Sequence, residues 1–87
     1  MAPSPAWYAR RRTWYVVRRA LGEEALRQIP GLPWTVGEFL VEIDRGRVSW
    51  SDFVAGLTFL ERSGLAHLLP GRYGQMARWV VESQEVL

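Results

Sequence analysis

The side chains best suited to chemistry with a partner are basic and aromatic ones near the start of the chain. On a helix running from Pro5 to Leu21, Tyr8, Arg11, Arg12, Tyr15, Arg18 and Arg19 fall within roughly 120° of arc at about 100° per residue. Arginine presents a planar fork of donors that matches phosphate oxygens, and a tyrosine ring offers stacking or apolar contact. The stripe therefore suits a nucleic-acid backbone, and contacts from its four arginines would make affinity fall steeply with salt. Two other uses compete. The same residues fit a solvated helix face, or one pairing with Glu23, Glu24 and other acids of the fold. They also fit a helix lying on anionic lipid, although the apolar side it would bury is needed for the core.

Enzyme chemistry lacks the inventory. The chain has no Cys and a single His, which removes disulfides, thiolate or His-rich metal sites and most nucleophilic chemistry. His67 sits among Ala66, Leu68 and Leu69, where a structural imidazole is expected, and no motif marks a serine nucleophile beside it. Asp44 and Asp52 flank Gly46 and Val48, but without the alternating oxygen ligands and final Glu of a Ca²⁺ loop. Gly71-x-x-Gly74 is expected to supply backbone freedom in a turn rather than to cradle a phosphate. No catalytic residue, metal, cofactor or small-molecule substrate is expected.

Eighty-seven residues make one domain, with 1–5 as a flexible N-terminal arm. Such a chain buries about 60–65% of its unfolded surface, which the five Trp, three Tyr and three Phe partly offset. All eleven basic residues are Arg, a bias that a GC-rich or thermophilic coding background explains as well as phosphate contact does. Charge is placed unevenly: residues 1–22 carry five Arg and no acid, a balance of +5, and the remainder six Arg against nine acids, or −3. No apolar run is long enough to span a bilayer, so a soluble, cytoplasmic protein is expected.

The elements that must position these side chains are clearest between Trp34 and Leu65. Thr35 with Glu38 forms a capping box, so a helix begins at about Val36, with Val36, Phe39, Leu40 and Ile43 on one stripe and Gly46 as its stop. Ser49 with Asp52 repeats the cap. Trp50, Phe53, Val54, Leu57 and Leu60 make the next stripe, and Gly64 ends it. On the first helix Trp7, Trp14, Val17 and Leu21 face the core, with the stem of Arg10 along their edge. Glu23 to Ile29 reads as a further helical turn or two, and Trp34 as a lid on the core. The C-terminal part reads two ways. Leu65 to Leu69 and Gln75 to Val81 fit two strands about a Pro-Gly-Arg-Tyr-Gly turn, with Ala77, Trp79 and Val81 on one face. Met76, Trp79, Val80 and Leu87 also fit a helical stripe. The hairpin is the expectation.

Leu57-x-x-Leu60-x-x-x-Gly64-Leu65, after a capped helix and a tight turn, resembles the end of the recognition helix in winged helix-turn-helix DNA-binding domains, with the hairpin as wing. The resemblance spans about Trp7 to Val81. It implies a mainly α, three-helix domain with a C-terminal β-hairpin, the alternative being an all-α four-helix bundle, and places Arg72, Tyr73 and Gln75 at the wing tip. The exposed side of the third helix carries Ser51, Asp52, Ala55, Thr58, Glu61 and Arg62, and acids there repel phosphate. DNA contact is therefore expected through the helix-one arginines and Arg72, to the backbone with little sequence reading. Dimeric winged-helix proteins often pair through a long first helix, which makes a homodimer a further implication.

Gly46-x-Val48-Ser49, Phe53-Val54-x-Gly56-Leu57-x-Phe59-Leu60 and Gly64-Leu65 are also similar to a short helical-hairpin motif of surface and virion-associated proteins. That similarity implies an assembly role through Phe59 and Arg62. The expected function is a small non-enzymatic DNA-associated regulator or architectural protein. The alternative is a protein-protein interaction module, either a structural, virion-like component or an inhibitor of a larger protein.

Overall fold

A computed structural model of the chain describes the backbone over residues 5–86 and the side chains over residues 12–84. The expectations for Met1 to Ser4, for the side chains of Trp7, Tyr8, Arg10 and Arg11, and for Leu87 lie outside the described residues. The architecture is mainly α: α1 spans Pro5–Leu21, α2 Val36–Asp44, α3 Trp50–Arg62 and α4 Tyr73–Val86. Short 3-10 turns occupy Gly22–Leu26 and Leu65–Leu68. α1 packs on α2, and α3 packs on α4.

Each boundary follows from its residues. Gly22 takes a φ of +61°, a left-handed conformation that favours glycine, and the chain leaves α1 into the first 3-10 turn. A loop then returns to α2, closed at its neck: the Val36 amide donates to the Arg27 carbonyl (2.9 Å) and the Ile29 amide to that of Trp34 (3.1 Å). Inside the loop the Gln28 side-chain amide donates to the carbonyls of Leu32 (2.6 Å) and Trp34 (2.9 Å). Trp34 tilts against Phe39, with ring centroids 6.1 Å apart.

The capping box of α2 is complete, since Thr35 Oγ1 accepts from the Glu38 amide and the Glu38 carboxylate accepts from the Thr35 amide. At the other end Gly46 donates to Ile43 and Arg47 to Glu42, the paired bonds of a Schellman ending. α3 has the simpler cap, with Ser49 Oγ accepting from the Asp52 amide at 3.2 Å.

The core gathers Val17 and Leu21 from α1, Val36, Phe39 and Leu40 from α2, Leu57 and Leu60 from α3, and Ala77 and Val80 from α4. Gly56 is where α2 and α3 approach closely: a Cβ there would penetrate the fully buried ring of Phe39.

The expected C-terminal hairpin is absent, and with it the wing. Leu65 and Ala66 are drawn into the core by the 3-10 turn after Gly64, which leaves no extended strand. Beyond the Pro70-Gly71 turn, the Met76 amide donates to the Arg72 carbonyl and a helix propagates from Tyr73. Tyr73, Met76, Ala77 and Val80 meet the core, a spacing of about 3.6, whereas a strand would have faced Ala77 and Trp79 the same way. Trp79 instead points outward. Among the described residues the one β-type pairing is the isolated bridge between Gln28 and Thr35.

Candidate protein interface

Among the described residues, the two largest exposed apolar side chains stand on neighbouring helices. Trp50 follows the Ser49 cap directly and so occupies the first position of α3, seven residues before Leu57 on the same face but exposed at the end of the helix. It is 66% exposed and stacks on Phe53, with centroids 5.5 Å apart and planes 22° apart. Trp79 in the middle of α4 is 58% exposed. Between them runs an open groove of about 550 Å³, lined by Val54, Ala55 and Thr58 of α3 and Val80 of α4. Ser51, Ser83 and Gln84 complete the lining, which among the described residues contains no charged side chain. Thr58 Oγ1 is buried with no hydrogen-bond partner.

A second groove of about 340 Å³ lies on the other side of Trp79, between the second 3-10 turn and α4. His67, Gln75, Arg78 and Glu82 give it a polar lining. His67 is exposed here rather than enclosed by its apolar neighbours. The Gly71-x-x-Gly74 pair has a structural account: Gly71 turns the chain at φ +67°, and a Cβ on Gly74 would stand 2.7 Å from the Ala66 carbonyl oxygen.

Of the expected phosphate-binding residues, Arg12, Tyr15 and Arg19 are exposed on α1 and Arg18 is half-buried. Arg72 is exposed on the turn before α4. The ion pairs among the described residues are Arg27 with Glu24 (3.3 Å) and Arg45 with Glu42 (3.1 Å), so Glu24 pairs within its own turn. One carboxylate connects the two basic regions. Asp44 at the end of α2 accepts from Thr13 of α1 and from the Tyr73 hydroxyl of α4 at 2.8 Å, and these partners directly follow Arg12 and Arg72. Burial, then the neighbouring Asp44, pushes the Tyr73 hydroxyl up to about 12.

The expected interface residues part company. Phe59 is half-buried against the core and carries the Arg27 guanidinium over its ring at 5.4 Å, so a neighbouring segment covers it. Arg62 is exposed at the end of α3. The aromatic pair at the groove was not legible as a surface, because Trp50 reads as part of the α3 core stripe and Trp79 as part of a strand face. Among the described residues no three His, Asp or Glu side chains converge as metal ligands, and no helix is long and apolar enough to cross a membrane. No protein-family model, curated protein or solved structure matches the chain.

Proposed function

We propose that the chain is a non-enzymatic protein-interaction module that docks its partner in the groove between α3 and α4. The observation that carries this reading is the pair of outward-facing indoles, Trp50 and Trp79, flanking a groove without charge. Exposed tryptophans are costly to hydrate, interface centres are enriched in them and depleted of charge, and they dominate binding energy where alanine scans have been made. A groove between two helices suits the apolar face of a third.

The test is selection of displayed amphipathic helices against the full chain, with Ala55→Arg as counter-screen. Ala55 is exposed on the groove lining, so the substitution adds a charge without emptying the core. Enriched helices that bind the parent and lose at least tenfold in affinity on Ala55→Arg support the reading. No enrichment, or binders indifferent to the change, defeats it.

A second reading keeps DNA as the partner, through the α1 arginines and Arg72. The exposure of Arg12, Arg19 and Arg72 supports it, while the absence of the wing counts against it. Under this reading anisotropy with random duplex DNA gives an affinity that drops by orders of magnitude between about 50 and 200 mM salt. Changing Arg12, Arg18, Arg19 and Arg72 to Ser abolishes it. Binding that persists in that variant counts against this reading.

A further inference from the structure

Resting on the reading of the α3/α4 groove as a docking face, we infer that its partner is a second copy of this chain, the two faces packing about a twofold axis. A twofold contact uses one patch on both copies, so the patch must contain its own complement. This one does. Trp50 and Trp79 project, at 66% and 58% exposure, and the hollow of about 550 Å³ between them is otherwise lined by the small residues Ser51, Val54, Ala55, Thr58, Val80 and Ser83, with Gln84 at one end. Each copy thus offers two indoles and a space to receive them.

Charge agrees. Charged residues make up 23% of the chain, yet among the described residues none lines the groove, so its floor brings no like charges together when two copies meet face to face. A partner recognised by its charge would find nothing on the floor of this groove to recognise.

The indoles supply part of the area that a weak dimer needs. A buried Trp covers about 150–250 Å², so the exposed parts of two indoles supply roughly 250 Å² per copy and about 500 Å² per pair. Specific interfaces start near 1,000–1,200 Å² in total. The indoles provide about half of that, and Val54, Ala55, Val80, Ser83 and Gln84 border them on both copies. An interface at the small end of the range gives association that depends on concentration rather than an obligate dimer.

Sedimentation velocity of the full chain from about 1 µM to a few hundred µM reads this directly. The expected result is a reversible monomer–dimer equilibrium, weakened at least tenfold by Ala55→Arg and by Gln84→Arg with the circular dichroism unchanged. If Ala55→Arg disturbs the helices, Gln84→Arg, an exposed position on the other helix, decides. A chain that stays monomeric throughout, or a dimer that survives the charged substitutions, overturns the inference. A monomer that still binds selected helices and loses them on Ala55→Arg removes the second copy alone. A monomer that binds none removes the docking reading as well.

Discussion

Asp44 shows what single residues contribute. One carboxylate at the end of α2 accepts from Thr13 of α1 and Tyr73 of α4, joining three helices at one point. Because the Tyr73 hydroxyl is raised from 10.0 to about 12, the folded state favours the neutral phenol. The stabilisation is fully present below pH 10 and is lost as the pH rises toward 12. Tyr73→Phe should therefore remove an alkaline loss of stability and cost about 1 kcal/mol at neutral pH, the usual worth of one hydrogen bond. Denaturant titrations of both proteins across that pH range measure the difference, and equal pH profiles would contradict it. Gly56 makes the opposite kind of point, because nothing in its sequence neighbourhood announces that Phe39 lies against it. Gly56→Ala should destabilise by about 1–3 kcal/mol, against the gain in helix propensity that the same change brings elsewhere. A midpoint that rises in denaturant would show that Phe39 yields easily.

Helix limits were legible wherever short-range chemistry sets them. Thr35 with Glu38, Ser49 with Asp52, and the stops at Gly46 and Gly64 act over three or four residues, and the helices start and stop where these residues put them, although Asp52 does not return the reciprocal bond of a capping box. Thr35→Ala should cost about 1 kcal/mol, and Ser49→Ala a similar or smaller amount because its cap lacks the reciprocal carboxylate bond. Equilibrium unfolding gives both values, and a larger loss at Ser49 would contradict the ranking. The C-terminal segment was misread for a physical reason. Ala77, Trp79 and Val81 alternate over too few residues to distinguish strand from helix, and the choice fell to tertiary contacts of Tyr73, Met76, Ala77 and Val80. Those contacts depend on Leu65 and Ala66 turning inward, which no local pattern encodes. Trp50 illustrates the same limit: its spacing matches the α3 stripe, but at the first helical position it is left exposed.

At the scale of the molecule two surfaces compete for the role of partner site: the basic side of α1 and the uncharged groove between α3 and α4. The basic side was visible from charge placement and periodicity alone. The groove required the fold, since its two indoles lie 29 positions apart and meet only when α3 and α4 pack. Trp50→Ser and Trp79→Ser should leave thermal stability within about 0.5 kcal/mol, as surface changes away from the core do. Loss of partner binding with stability retained separates an interface from a misassigned piece of core, and unfolding in either variant would place that indole in the core instead. The most direct measurement is an NMR titration of the labelled chain with a selected amphipathic helix, following the indole N–H signals of Trp50 and Trp79. The expected result is a saturable shift of both, with Tyr15 and Arg19 unmoved. Shifts confined to α1, with both indoles silent, would contradict the docking role of the groove.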